Sequence, residues 1–268
     1  MTGTSPSPDP PRRLVCLSQE TAETLVLLGL ESRVVGVSRF VARPHGAFRA
    51  AARVGGFSTT DVAAITELEP DLVLCYSEVQ AELTRELVAA GLEVHVFNHR
   101  DLAGMLAMVG TLARLMGVPE RGADRIQELS QLLASARLVS EQLPESERPR
   151  VYFEEWNDPL VCGIHWVSEL IELAGGRDVF HERARLPSAE QRVVQPDEVL
   201  TAAPEVMLAS WCGRPLDEAR VRARPGWDEL PALRAGRLFH VEGAAILSPG
   251  PGLLTEGLAL LRGLLARP

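Results

Sequence analysis

The stretch RLVCLSQETAETLVLLGLESRVVGV, residues 13–37, shows how the first half of the chain is built. Residues 13–17 form a short apolar run that predicts a buried strand, and Ser18 stands where a helix N-cap is expected. Apolar residues then recur at helical spacing, and residues 33–37 predict a second strand. A strand, a helix and another strand in this order are typical of a parallel sheet.

The same alternation continues along most of the chain. Helices are predicted at residues 60–70, with Thr60 as the N-cap, and at residues 77–91. Residues 101–143 carry no strand signal, and Pro119 begins a helix of about 24 residues, because proline is favoured in the first helical turn. The remaining predicted strands are residues 71–75, 93–97, 150–155, 205–210 and 237–242, and the remaining predicted helices are 166–176, 196–204 and 255–266.

This pattern predicts an α/β protein with two parallel-sheet lobes joined by a single long helix, and a ligand cleft between the lobes. The predicted parts are a disordered leader, residues 1–12; an N-terminal α/β lobe, 13–118; an inter-lobe helix and linker, 119–148; and a C-terminal α/β lobe, 149–268. The leader MTGTSPSPDPPRR is polar and rich in proline, and it lacks the apolar segment of a secretory signal.

Composition excludes several classes of partner. The chain of 268 residues has a net charge of −9, which disfavours binding to nucleic acid or to an anionic membrane surface. No apolar run reaches the roughly 18 residues that membrane insertion requires. The four cysteines, at positions 16, 75, 162 and 212, form no CxxC pair and are expected to be reduced thiols. The predicted compartment is the cytoplasm, or the periplasm if a signal peptide has been removed.

Aromatic and charged residues concentrate just after the predicted strands. Loops at the carboxyl ends of parallel strands are where such sheets bind ligands, so these residues are the candidates for a binding site. Trp227 is not among them, since it lies in a turn and is expected to be structural. The candidates are Glu20, Arg39, Phe40, Arg43, Tyr76 and Asn98 in the first lobe, and Glu154, Glu155, Trp156, His165, Trp166, Arg192, Trp211, Cys212 and Arg214 in the second.

The sequence contains few signals of catalytic or metal-binding chemistry. His165 could ligate a metal or serve as a hydrogen-bonded side chain, and without an HExxH motif no protein metal site is predicted. Cys212 could be a nucleophile only with a base within reach. Glu154 and Glu155 could transfer protons or pair with nearby arginines. Phosphate-binding loops and a GxSxG motif are missing from the sequence, so we predict no catalytic residue and no catalytic cofactor.

The chain resembles a family of transport proteins. The run from RLVCLSQETAETLVLLGL through VGGFSTTDVAAITELEPDLVLC (residues 54–75) resembles the N-terminal lobe of the cobalamin and ferric-siderophore substrate-binding proteins of ABC importers. In the second lobe YFEEWNDPL (152–160), SWCGRP (210–215) and LSPGPGLLTEGL (247–258) are similar to a signal-less branch usually called cobalamin-binding protein. The resemblance extends from about residue 13 to 265.

The resemblance implies a non-enzymatic protein that holds a bulky metal chelate between its lobes. Trp166 is then the strongest contact candidate, followed by Trp156, Trp211, Phe40 and Arg43. A corrin ring offers a broad apolar face that aromatic side chains bury well. A ferric catecholate or hydroxamate would instead require cationic donors, which Arg39, Arg43, Arg192 and Arg214 could supply, and a ferric-chelate or haem binder is therefore the second hypothesis. An enzyme that modifies such a chelate is the alternative from another class.

The family also implies a permease partner. Importer-coupled relatives carry one exposed carboxylate on each lobe, and these carboxylates dock into arginine pockets of the ABC transporter permease. Asp197 or Glu198 fits this position in the second lobe. In the first lobe Ala63 occupies it, with Asp61 as the nearest substitute. Together with the missing signal, this departure predicts that the protein is not a periplasmic feeder of an importer.

Overall fold

Residues 9–266 are described by the computed structural model, and they belong to two compact units. Unit 1 takes Met1–His99 and Leu106–Glu128, and unit 2 takes Arg100–Met105 and Leu129–Pro268. The predicted leader lies largely outside the described residues. Its last residues are held by unit 1, since the Arg12 amide donates to Asp71 at 2.7 Å and the Pro11 carbonyl accepts a bond from Arg33. The predicted disorder therefore does not extend to residue 12.

Unit 1 is built on a five-stranded parallel sheet. The central strand β1 has β2 on one side and β4 on the other, so the order is β3-β2-β1-β4-β5. The chain leaves β1 in one direction and later returns to its other side, which makes the space between β1 and β4 a topological switch point. The strands are β1 Leu14–Cys16, β2 Val34–Val37, β3 Ala52–Arg53, β4 Leu72–Tyr76 and β5 Val94–Phe97.

The helices of unit 1 follow the predicted order with shorter bounds. Asp61, not Thr60, is the N-cap of α2, because its carboxylate accepts the amides of Ala63 and Ala64. The predicted helix 77–91 is divided into a 3₁₀ turn, Glu78–Gln80, and α3. Two longer helices, α4 and α5, have residues in both units. The bounds are α1 Gln19–Leu27, α2 Val62–Thr66, α3 Ala81–Ala89, α4 Leu102–Leu115 and α5 Pro119–Glu141.

Unit 2 contains a mixed sheet. Its strands are β6 Arg150–Asn157, β7 Leu160–Cys162, β8 Arg177–Asp178, β9 Val206–Ala209 and β10 Leu238–His240, in the order β10-β9-β6-β7, with β8 also paired to β6. The predicted parallel pairing holds for β9 and β10, and β8, which was not predicted, also pairs parallel with β6. Strand β7 was not predicted, and it pairs antiparallel with β6. The two-residue connection between these strands forces the hairpin, because parallel neighbours need a long crossover.

The helices of unit 2 are mostly short. Helix α8 starts where the sequence predicts, because Pro196 occupies its first turn and Gln195 and Glu198 form a capping box. The predicted last helix begins as a π-helical segment, Leu253–Gly257, and continues as α12. The helices are α6 His165–Leu173, α7 His181–Ala184, α8 Pro196–Ala202, α9 Glu218–Arg222, α10 Pro231–Arg234, α11 Gly243–Ile246 and α12 Leu258–Leu265.

All four tryptophans lie in unit 2. Trp227 is fully buried in a cluster with Tyr152, Val199 and Trp211, and the Arg224 guanidinium stacks 4.3 Å from its ring centroid. This packing agrees with the structural role predicted for Trp227. Across residues 9–266 no helix combines the length and the apolar character that a membrane crossing would need.

Candidate functional site

Unit 1 buries an unusual number of polar side chains where β1 ends and α1 begins. Gln19, Glu20, Thr21 and Glu23 all lie in the first two turns of α1 and are all buried. This position faces the switch point beside β4, where sheets of this order bind ligands. Buried polar groups must be hydrogen-bonded or they destabilise the fold, so their partners reveal what the cluster does.

Gln19 fastens the loop that follows β2. Its Oε1 accepts the amides of Ala42 at 2.7 Å and Arg43 at 3.1 Å, and its Nε2 donates to the Arg43 carbonyl at 2.7 Å. The same Nε2 donates to Glu23 at 2.9 Å. Phe40 stands two residues before this anchored segment, and 62% of its surface is exposed.

Arg43 carries a charge that is already balanced within unit 1. Its guanidinium lies 2.7 Å from the Glu23 carboxylate, which is almost wholly buried. A close pair of this kind in a poorly solvated position attracts much more strongly than a surface pair. Arg43 is therefore a neutralised contact rather than a cation available to an anionic ligand.

Gln80 performs a similar task on the other side of the switch point. Its Oε1 accepts the Tyr76 amide at 2.7 Å, and its Nε2 donates to the carbonyls of Leu17 at 3.2 Å and Phe57 at 2.6 Å. One buried side chain thus joins β4, the end of β1 and the loop at Phe57. Sequence reasoning missed the roles of both glutamines, although each stands within five residues of the end of a predicted strand.

The other predicted contacts of unit 1 differ in exposure. Glu20 is buried, and the loss of solvation raises its pKa to about 7 against an opposing hydrogen bond from Ser18. The Tyr76 hydroxyl donates to the His99 carbonyl, and the two rings meet edge to face. Asn98 and Arg39 are exposed.

In unit 2 two adjacent glutamates in the second half of β6 form ion pairs with little exposure to solvent. Glu154 has no exposed surface; it accepts two hydrogen bonds from Arg224, at 2.6 and 2.9 Å, and one from the Trp211 indole at 2.9 Å. Tyr152 lies 3.2 Å away through its hydroxyl. Both carboxylate oxygens of Glu154 thus accept hydrogen bonds from other side chains of unit 2.

Glu155 makes the second pair. Arg192 donates to both of its carboxylate oxygens, at 2.6 and 3.1 Å, and also to the Cys162 carbonyl at 2.7 Å. Of the two roles considered for Glu154 and Glu155, the structure contains the pairing with arginine. Arg192, a predicted ligand contact, is buried and engaged in this pair.

The three tryptophans predicted to meet a ligand are placed differently. Trp211 is buried in the cluster around Trp227. Trp166 is 5% exposed, and its indole donates to the Ile246 carbonyl at 3.0 Å. Trp156 is half-buried, donates to the Asp158 carbonyl at 2.9 Å, and carries the Arg214 guanidinium 4.5 Å from its ring centroid. Trp156 thus presents the largest accessible aromatic surface of the three.

Cys212 is exposed between Trp211 and Arg214 and adopts a left-handed backbone conformation, with φ of 47°. Burial of its sulfur among its neighbours raises the pKa of the thiol to about 11. Since the thiolate is the nucleophile, this shift works against the catalytic role considered for Cys212. The other three cysteines are buried and free of disulfides, as the sequence predicts.

His165 and the proposed docking carboxylates have separate surroundings. His165 begins α6 and lines a pocket of about 750 Å³ in unit 2, which contains none of the other predicted ligand contacts. Asp61 caps α2, and Glu198 pairs with Arg183 and accepts the Gln195 amide, which lowers its pKa. Asp197 is exposed in the first turn of α8. Within residues 9–266 no three metal-binding side chains come together.

Comparison with known proteins adds independent findings. The sequence profile of the family described as periplasmic binding protein matches residues 14–245. A cobalamin-binding protein of Halobacterium salinarum is 30% identical over 202 residues, which are 71% of this chain and 54% of that relative. The chain therefore spans about half the length of this relative.

Two solved structures share the fold. The periplasmic vitamin B12-binding protein BtuF of Vibrio cholerae superposes with a TM-score of 0.73 at 21% identity, covering 96% of this chain and 98% of its own. The periplasmic haem-binding protein RhuT from Roseiflexus sp. RS-1 superposes with a TM-score of 0.78 at 22% identity, covering 95% and 99%. The predicted α/β class with parallel-sheet lobes is confirmed.

Proposed function

The chain belongs to the periplasmic binding protein family, and from this premise we propose that it binds cobalamin or a related corrinoid without transforming it. The observation that carries the proposal is the state of the arginines near the strand ends. Two of the four candidate arginines that would favour a ferric chelate, Arg43 and Arg192, are each paired with a buried or half-buried glutamate.

Charge balance distinguishes the candidate ligands. An anionic ferric siderophore would have to separate these pairs, and breaking a buried pair leaves one charge without its partner. A corrinoid presents a broad apolar face and neutral amides, so it can be bound while both pairs stay intact. The exposed Phe40 and the half-buried Trp156 supply apolar surface for such a face.

Haem is the second candidate. Arg214 is exposed and stacked on Trp156, so its guanidinium could pair with a propionate while the indole covers part of a flat ring. The argument for haem rests on Arg214 alone. Haem therefore enters the experiment below as the competing ligand.

We expect cyanocobalamin to bind with a Kd below about 10 μM, which corresponds to roughly −7 kcal/mol or better. Equilibrium dialysis and calorimetry with cyanocobalamin, haemin and a ferric hydroxamate on the same protein preparation measure it. Micromolar binding of haemin with no binding of cyanocobalamin would transfer the proposal to haem. Binding of the ferric hydroxamate alone would contradict the reasoning from paired arginines.

Trp156→Ala is expected to weaken cyanocobalamin binding by about 1–3 kcal/mol, the usual cost of removing an aromatic anchor. The reason is that Trp156 offers more accessible indole surface than Trp166 or Trp211. The same dialysis measurement checks it. Trp227→Phe is the matched control, since it alters a fully buried indole and should leave the Kd unchanged. Equal affinity of wild type and Trp156→Ala would remove Trp156 from the proposed site; Trp166, Trp211, Phe40, Arg43, Glu20, Tyr76, Asn98 and His165 remain predicted contacts.

The absence of catalysis is part of the proposal. The pairing of Glu154 and Glu155 with arginines and the raised pKa of Cys212 support it, because none of these groups is prepared for acid–base or nucleophilic chemistry. Mass spectrometry of cyanocobalamin recovered after incubation with the protein tests it. A chemically altered corrinoid would favour the enzymatic alternative.

The family supports the periplasmic alternative for the location, and the cytoplasmic prediction has no support from it. We infer an ABC permease as the partner that the family implies, which departs from the sequence-based prediction that the protein does not feed an importer. Asp197 is the exposed docking candidate in unit 2, whereas the carboxylates of Asp61 and Glu198 already cap helices. Cell fractionation with an antibody to the protein, together with co-purification of a permease, tests this pairing.

A further inference from the structure

A polar pocket lies in unit 2 away from the carboxyl ends of its strands. It encloses about 750 Å³. Arg150 begins β6 and Arg177 begins β8, so these lining residues stand at the amino ends of the parallel strands. Glu154, Trp156 and Trp211 come at or after the opposite ends. The pocket is thus distinct from the surface proposed to meet the corrinoid in unit 2.

The pocket collects positive charge from several elements. Its lining contains Arg148, Arg150, Arg177 and Arg185, together with two histidines. Four guanidinium groups around one cavity repel one another unless anions accompany them, and all four side chains keep some surface exposed to solvent. Three acidic residues also line the pocket, so their hydrogen bonds decide whether they already provide that balance.

Each acidic residue of the lining is engaged with the protein itself. Glu172 pairs with Arg148 and accepts the amide of Asp178 at 3.1 Å. Asp178 accepts the Phe180 amide at 3.0 Å, and burial raises its pKa. Glu169 accepts the amide of Leu102 at 2.8 Å. Of the three, Glu172 forms an ion pair with an arginine of the pocket, whereas the bonds that Glu169 and Asp178 accept here come from neutral amides.

The other arginines have weak or peripheral partners. Arg150 lies 3.7 Å from Glu205 and donates from Nε to the Ala203 carbonyl at 3.0 Å, and Arg185 lies 3.6 Å from Glu182. Arg177 pairs with Glu145, an exposed residue outside the pocket. Such surface pairs contribute little, and an incoming anion can replace them. In addition, the Nε of Arg148 is buried without a hydrogen-bond partner among residues 9–266.

We propose that this pocket is a second binding site, for a compact oxyanion such as phosphate or a phosphate monoester. Arg177, Arg185 and Arg150 supply guanidinium donors, whose planar fork matches the oxygens of a tetrahedral anion. The site is independent of corrinoid binding and does not rest on it.

Calorimetric titration of the full chain with inorganic phosphate, against sodium chloride at matched ionic strength, tests the proposal. We expect saturable heat with phosphate and none with chloride. The double variant Arg177→Gln/Arg185→Gln should weaken phosphate binding at least tenfold. The control Arg220→Gln/Arg234→Gln removes two exposed, paired arginines elsewhere in unit 2 and should leave it unchanged.

Two results would overturn the proposal. Equal heats with phosphate and chloride would show that the heat arises from the change in ionic strength and not from phosphate binding in the pocket. Equal loss of phosphate binding in both double variants would show a diffuse effect of net charge rather than a site. The Kd for cyanocobalamin should remain the same in all variants, so failure of the oxyanion site leaves the corrinoid proposal untouched.

Discussion

Glu154→Ala is expected to lower the free energy of unfolding of unit 2 by about 3–5 kcal/mol, the usual cost of removing one partner of a buried pair. The substitution leaves the Arg224 guanidinium, which is 13% exposed, without its carboxylate. It also removes the acceptor of the Trp211 indole. One change therefore disrupts the ion pair and the packing of the tryptophan cluster.

Urea unfolding followed by tryptophan fluorescence measures this loss. The signal reports on unit 2, since all four tryptophans belong to it. Glu218→Ala is the matched control, because Glu218 also accepts a hydrogen bond from an arginine, Arg222, but in an exposed pair. Exposed pairs contribute about 0–1 kcal/mol. Equal unfolding midpoints for the two variants would contradict the importance given to the Glu154 pair.

Gln80→Leu should destabilise unit 1 by about 3 kcal/mol, because burying polar groups without partners costs about 1–3 kcal/mol for each group. The leucine has a similar size but cannot satisfy the Tyr76 amide or the carbonyls of Leu17 and Phe57. We expect the loop at Phe57 to loosen before the sheet unfolds.

Hydrogen exchange followed by mass spectrometry separates these two effects. Faster exchange is expected first in peptides that contain the Tyr76 amide, and global unfolding in urea should occur at a lower concentration. Gln127→Leu is the control, since Gln127 is an exposed residue of α5 and its substitution leaves no buried group unsatisfied. If Gln80→Leu behaved like this control, the interpretation of Gln80 as the link between β1, β4 and the Phe57 loop would be wrong.

The longer elements of the fold could be predicted because their patterns are local. Strands β1, β2, β4 and β5 are apolar runs bounded by glycine, proline or polar residues, and the structure contains each of them. Strands β3 and β8 have only two residues. A segment of that length has no periodicity, so its existence depends on pairing with a distant strand, which sequence patterns do not reveal.

The sequence identified candidate side chains by residue type, but it could not show how buried each one is or which residues it pairs with. Trp156, Trp166 and Trp211 look equivalent in the sequence, since each lies near the end of a strand. Their exposure differs because Trp211 packs into the Trp227 cluster and Trp166 bonds to Ile246, contacts made by residues far away in the chain. Arg192 likewise appeared to be an available cation, and tertiary structure pairs it with Glu155.

The exposed Cys212 offers a way to attach a probe beside Trp156 and Arg214. The chain contains no lysine, and the other three thiols are buried, so a maleimide or nitroxide reagent should react selectively at this one position. With a pKa of about 11, only about one thiol in ten thousand is ionised at pH 7. Labelling will therefore be slow at neutral pH and about tenfold faster at pH 8, and a spectroscopic label placed there would report directly on the surroundings of the Trp156 indole.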